Sequence, residues 1–354
     1  MARDIGIDLG TANVLIHLKG RGVILNEPAV VAFDKERREI VEVGKAAYEM
    51  IGRTGESIDI IRPLKGGVIA DFELAEAMLV LFFDRIHSKS FFSKPQVLIC
   101  SPSEISEVEE LSLIEAVERA GAGKIYIEDE AKVAAVGAGV EPRSAKGSMI
   151  IDIGGGTTDI AVLSAGDILA SASLKEAGDI FDQAIIQYIK DHKHLLIGQK
   201  MAEEVKMSIA SATHLEASLV ETFDARGRDL VTGLPKSINV TSNDIFKAIE
   251  RYLLPIARKA KVILEELPPE IAGDIMEQGI ILTGGGALIY NMDTFLSDFL
   301  QMSVLKADQP MTCIATGAGL MLDMIQEGYL ADKQLTWQDK TKRFFFKMKR
   351  RIFG

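Results

Sequence analysis

Cysteine is almost missing from these 354 residues: only Cys100 and Cys313 occur, both in apolar surroundings. Two thiols so placed exclude a disulfide framework and fit a reducing compartment, where buried cysteines behave as small hydrophobes. Histidine is scarce too. His17, His87, His192, His194 and His214 stand apart from any cysteine or glutamate cluster, so zinc-binding patterns are absent. No run approaches ~18 consecutive apolar residues, and Asp4 and Asp8 interrupt the stretch where a secretory signal would need its apolar core. The chain therefore reads as cytoplasmic, meeting a membrane only from the side. An excess of positive charge is also lacking: 40 Lys and Arg face 51 Asp and Glu, for net −11. That balance argues against nucleic acid as the main partner, because neutralising phosphates needs a basic face.

What is present is a globular composition, 47% apolar and 26% charged, on a chain too long for one core. Single cores stop growing near ~250–300 residues, which implies two domains or lobes and hence a cleft. Short β-branched runs (5–9, 14–18, 30–33, 97–100, 125–127) alternate with helical patterns (73–86, 107–120, 131–138), an α/β rhythm. The rhythm restarts at 149–153 and 160–163, followed by helical patterns over 180–190, 202–210 and 243–266 and a β-rich stretch over 219–240. One element repeats. IGIDLGTANVLI at 5–16 and MIIDIGGGTTDIAVL at 149–163 both read as strand, tight turn, strand, with an aspartate ending an apolar strand just before the turn. Two such hairpins suggest a duplicated fold.

Glycine turns between strands expose converging N–H groups, the kind of nest that holds phosphate. Gly10, Thr11, Ala12 and Asn13 form one candidate cradle, and Gly154, Gly155, Gly156 and Thr157 the other. Asp8 and Asp152 would then hold Mg²⁺, which usually takes one or two carboxylates plus the phosphates themselves. The plainer alternative is two hairpins whose glycines supply positive φ and whose aspartates cap turns. A third cluster, Gly284, Gly285, Gly286 and Ala287, follows the apolar strand 279–282 and precedes a polar helix start. Glu203 and Lys206, at i, i+3 on one helix face, suit ribose hydroxyls and adenine, although such pairs are also ordinary surface salt bridges. Competing phosphate signatures are missing: no G-x-x-x-x-G-K-[ST] occurs, and no G-x-G-x-x-G opens a first helix.

The motifs DLGT, DIGGGTTD, GDIFD at 178–182 and TGGGAL, in this order and spacing, resemble the actin and sugar-kinase ATPase superfamily. IGIDLGTANVLIHLKGRGVILNEPAVVAFD, RPLKGGVIADFELAE and GRDLVTGLPKSINVTS narrow the resemblance to the MreB-type bacterial actins, over about residues 3–330. The resemblance implies an α/β actin-like fold of two facing RNase-H-like lobes with ATP and Mg²⁺ between them. The first lobe would cover 1–140, with an insertion at about 32–66, the second 141–330, with an insertion at about 183–243, leaving 331–354 as a tail. It also implies an ATPase that forms antiparallel double protofilaments on the inner membrane surface and organises cell shape, with paralogues and membrane-anchored shape proteins as partners. Carried over by position, Glu130 activates water and Thr157 helps hold it. Asp8 and Asp152 hold hydrated magnesium, Glu203 and Lys206 bind the nucleoside, and 284–287 lie beside its sugar and base. One departure bears on this. Ala131 and Lys132 follow Glu130 where the family usually has a proline, so Lys132 either pairs with Glu128 or disturbs the catalytic carboxylate. A slow-turnover ATP-binding scaffold, and a small-molecule kinase of the superfamily, stand as the other readings.

Two segments address a lipid surface. Phe91 and Phe92, flanked by Lys89 and Lys94, match the family's hydrophobic insertion loop. The tail 340–354 carries seven Lys and Arg and no acid, against a net −11 for the whole chain. On a helix at ~100° per residue, Phe344, Phe345, Phe346, Met348, Ile352 and Phe353 fall within one half. Lys340, Arg343, Lys347, Arg350 and Arg351 fall on the other, while Lys342 and Lys349 intrude on the apolar half. Such a face suits an interfacial helix on anionic lipid.

Overall fold

The computed structural model describes residues 4–86, 94–103 and 105–328. The described residues divide into two compact units, one made of those between 4 and 140 together with 312–328, the other of Glu141–Met311. Each is built on a five-stranded sheet, and the two sheets share one topology.

In the first unit the strand order is Lys124–Asp129, Gln96–Ser101, Ile5–Leu9, Asn13–Leu18, Gly22–Pro28. Ile5–Leu9 is central, parallel to Gln96–Ser101 on one side and antiparallel to Asn13–Leu18 on the other. In the second unit Ser148–Ile153 takes that central place, antiparallel to Thr158–Ser164 and parallel to Ile280–Thr283. Asp167–Leu174 and Val304–Lys306 complete its edges. Both central strands are buried along their whole length. A strand covered on both faces needs a near-continuous apolar run, and that is how Ile5–Leu9 and Ser148–Ile153 read, apart from one aspartate each and Ser148 at the start of the second.

Helices cover the sheets where their termini are signalled. Glu107–Ala120 starts on a reciprocal cap between Ser106 and Glu109 and stops at left-handed Gly121, φ 118°. Ser242–Glu265 starts on the same device, between Thr241 and Asp244. The β-rich stretch predicted over 219–240 is the hairpin Thr222–Asp229 and Pro235–Thr241.

One assignment is corrected. The helix Cys313–Gln326 belongs to the first unit, whereas the sequence reading places everything from 141 to 330 in the second lobe. Its buried Ala318, Met321, Leu322 and Ile325 share a cluster with Leu98, Cys100, Tyr126, Val133 and Val136. Gly317 lets it approach Glu130–Gly137 so closely that a Cβ there would lie 2.0 Å from the Val133 carbonyl oxygen. Nothing in the linear order of elements signals that return, because the helix is apolar enough to suit either unit.

Candidate functional site

Asp8 and Asp152 hold equivalent places: each is the penultimate residue of its unit's central strand, and each is buried. A glycine turn follows both.

In the first unit, a Cβ on Gly10 would lie 2.7 Å from the Asn13 carbonyl oxygen, so the turn closes only on glycine. The Thr11 hydroxyl, buried, accepts from the Gly67 N–H at 2.9 Å, and the Asn13 side-chain amide donates to Asn26 Oδ1 at 2.7 Å. These two side chains therefore brace the turn, while Ala12 accepts through its carbonyl from the Ala29 N–H. Glu130, 5% exposed, is the first residue of the helix Glu130–Gly137. Asp129 caps that helix by accepting from the N–H groups of Ala131 and Lys132, at 2.9 and 3.3 Å. Burial pushes the Asp129 carboxyl up despite these bonds. Lys132 Nζ is 3.2 Å from Glu128 Oε2, so of the two partners open to it in the sequence it takes Glu128. The buried Cys100 thiol stands level with Glu128 across the sheet. Burial, then the carboxylates of Asp8, Glu130, Glu128 and Asp129, push it well above its ordinary value. Asp8 and Glu130 thus share one acidic rim at the carboxyl ends of parallel strands, where open α/β sheets place their ligands.

In the second unit, the Thr283 hydroxyl donates to Asp152 Oδ1 at 2.6 Å. Burial, with a smaller contribution from Asp159 on the neighbouring strand, raises the Asp152 carboxyl to about 7. A buried carboxylate so placed costs energy to ionise alone, and an arriving cation would stabilise its charged form. The following turn closes with the Gly154 N–H on the Thr157 carbonyl at 2.9 Å. It hangs from the helix Gly178–Lys193: the N–H groups of Gly178 and Asp179 bond the carbonyls of Gly154 and Gly155 at 3.1 and 2.8 Å. Lys206, on the helix Gln199–Ile209 with Glu203, lies 2.8 Å from Asp182 Oδ1 and donates to the Gly178 carbonyl at 3.1 Å. In the third glycine cluster, Gly284 has φ 81°, and a Cβ there would meet the Ile153 carbonyl oxygen at 2.3 Å. One on Gly286 would meet Ile153 Cγ2 at 2.2 Å. These two glycines serve packing, while Gly285 faces open space and Ala287 is buried in a short 3₁₀ turn, not an α-helix start.

The first unit thus gathers Asp8, Gly10–Asn13 and Glu130, and the second gathers Asp152, Gly154–Thr157 and Lys206. Thr283, Asp159 and Asp182 were not singled out from sequence as site residues. The last two sit inside the motifs DIGGGTTD and GDIFD, and a carboxylate inside a glycine motif was the available signal. Phe91, Phe92, Phe344, Phe345, Lys347, Arg350, Arg351 and Phe353 lie outside the described residues. Among the described residues no helix is long and apolar enough to cross a membrane, and no group of three or more His, Cys, Asp or Glu could by itself hold a metal ion.

Duplicated sheets, each carrying an aspartate before a glycine turn, define an actin-like fold. A solved structure of MreB 5 of Spiroplasma citri bound to AMPPNP superposes with TM-score 0.87 at 39% identity, covering 93% of this chain and 98% of that one. The family described as MreB/Mbl protein matches residues 2–329, and the chain belongs to it. The cell shape-determining protein Mbl of Bacillus cereus is 52% identical over 324 residues, 92% of this chain and 97% of that one. The cell shape-determining protein MreB of Escherichia coli is 43% identical over 329 residues, 92% and 94% respectively.

Proposed function

We propose that this protein is an ATP-binding, filament-forming bacterial actin that assembles on the inner membrane surface, hydrolyses ATP slowly and organises cell shape. The observation that carries the reading is the matched placement of Asp8 and Asp152, both buried and both one residue from the end of a central strand that runs into a glycine turn. The AMPPNP complex of the Spiroplasma relative supports the choice of an adenine nucleotide. In the second unit, the Gly154 N–H closes the turn on the Thr157 carbonyl and the carbonyls of Gly154 and Gly155 are held by a helix N-terminus, so the N–H groups of Gly155 and Gly156 are the ones that would meet phosphate. Hard carboxylate oxygens at Asp8 and Asp152 fit magnesium held largely by the nucleotide's own phosphates. When bound, the ion would neutralise charge on the phosphates.

Glu130 would orient the attacking water and Thr157 would help hold it, a positioning task rather than covalent chemistry. Lys132 is paired with Glu128, which favours the hydrolytic reading over an inert scaffold. Cell-shape function rests on membership of a family whose relatives carry that name. Attachment to lipid rests on the sequence of 89–94 and 340–354.

The test is sedimentation of the full chain with Mg·ATP and anionic vesicles, alongside nucleotide titration. Assembly that requires ATP, and loss of ATP binding in Asp152→Asn, are expected. A protein that stays monomeric with all components present would sink the polymer reading, and undiminished ATP affinity in the variant would sink the site.

A further inference from the structure

Lys206 was read from sequence as a nucleoside ligand, yet two of its three donors point elsewhere. Its ammonium lies between Asp182 Oδ1, at 2.8 Å, and the Gly178 carbonyl, at 3.1 Å. Asp182 is one turn along the helix that Gly178 begins, and it is 3% exposed. Gly178 is also the residue whose N–H holds the Gly154 carbonyl, while its neighbour Asp179 holds that of Gly155. A Cβ on Gly178 would lie 3.3 Å from both the Gly154 carbonyl oxygen and Lys206 Nζ, so the contact is close on both sides. Asp182, Lys206, Gly178 and the Gly154–Gly156 turn form one connected chain of polar contacts.

We infer that Asp182 is a positioning residue for phosphate binding: through Lys206 it fixes the start of the Gly178–Lys193 helix and thereby the Gly154–Gly156 turn. The inference rests on the nucleotide reading above and adds a residue that never touches the ligand. Two facts support an electrostatic latch over a filler. The carboxylate is buried with its ammonium partner, where removing one member leaves the other uncompensated. It also lies beyond the helix's first turn, whose acidic residue is Asp179. The ionic groups acting on Asp182 are Lys206 and Glu203 from the Gln199–Ile209 helix and Asp179 from its own; burial outweighs the cation and lifts the carboxyl to about 6.

The experiment compares Mg·ATP and AMP binding to the full chain by calorimetry, in wild type, Asp182→Asn, Lys206→Arg and Gly178→Ala. If the latch presets the turn for the terminal phosphates, Asp182→Asn raises the ATP dissociation constant about tenfold and that of AMP less than about twofold. Lys206→Arg, which keeps the charge, loses less ATP affinity than Asp182→Asn. Gly178→Ala, which crowds the same junction while removing neither charge of the ion pair, reproduces the ATP-selective loss and serves should Asp182→Asn fail to fold. Equal losses for ATP and AMP, or no loss in a folded variant, overturn the inference while the nucleotide reading stands. A wild type that binds no ATP overturns both.

Discussion

Lys132 Nζ lies 3.2 Å from Glu128 Oε2, four residues earlier on the strand Lys124–Asp129 and across the capping residue Asp129 from the candidate catalytic Glu130. The pair is half-buried, with side-chain exposures of 17% and 23%, and it occupies the Lys132 ammonium two residues on from Glu130. Lys132→Ala is therefore expected to leave phosphate release within about threefold of wild type and to reduce stability by about 0.5–1 kcal/mol, as for a modest ion pair. A change of tenfold or more in steady-state phosphate release would mean that Lys132 acts on Glu130 after all.

Glu130 itself should behave differently. It is buried at the first position of its helix, and substitution by glutamine preserves its size while removing the charge that would orient water in the proposed mechanism. Positioned acid–base groups contribute about 10²–10⁴-fold, so Glu130→Gln should lower phosphate release at least about a hundredfold. ATP affinity should stay within about threefold. Equal rates in wild type and variant, with ATP still bound, would leave the slow-scaffold reading in place.

Much of this was legible beforehand because of where the apolar residues run. Residues 5–9 and 149–153 are continuous apolar runs broken by single aspartates, and that anomaly located Asp8 and Asp152 without any knowledge of the sheets. Glu130 came only by resemblance, since a glutamate after Glu128 and Asp129 looks like any acidic helix start. Lys206 was placed on the correct helix, but its partner Asp182 lies 24 positions earlier, and no local spacing connects them. The return of Cys313–Gln326 to the first unit was illegible for a related reason. Glycines at 137 and 317 decide it through backbone proximity, and sequence separation hides such contacts.

That proximity yields a stability prediction. A Cβ on Gly317 would lie 2.0 Å from the Val133 carbonyl oxygen and 2.8 Å from the Gly137 nitrogen, all backbone atoms that can yield only by separating two helices. Gly317→Ala should cost about 1–3 kcal/mol by overpacking. Gly273 offers the opposite case, being exposed inside the helix Pro269–Gln278 with nothing within 4 Å of its missing Cβ. Gly273→Ala should stabilise by about 0.5–1 kcal/mol through helix propensity alone. Thermal unfolding followed by calorimetry should move in opposite directions for the two, and a neutral Gly317→Ala would show that the helices have slack.

The basic tail can be tested by separating its charge from its aromatic face. Each cation near an anionic surface contributes up to about 1 kcal/mol, and the seven of 340–354 sit on a chain that is otherwise strongly acidic and would be repelled from such a surface. Deleting 340–354 should therefore abolish co-sedimentation of the monomer with phosphatidylserine vesicles in 0.1 M salt, while ATP binding is unchanged. Replacing Phe344 and Phe345 by serine keeps every charge, so it should weaken binding mainly at high salt, where a Debye length of about 3 Å at 1 M has removed the electrostatic share. Should the serine variant match wild type at every salt concentration, the tail would act as a polyelectrolyte and not as an inserted amphipathic helix. If the deletion too were without effect, attachment would have to come from 89–94, and Phe91→Ser with Phe92→Ser would then release the protein from the vesicles.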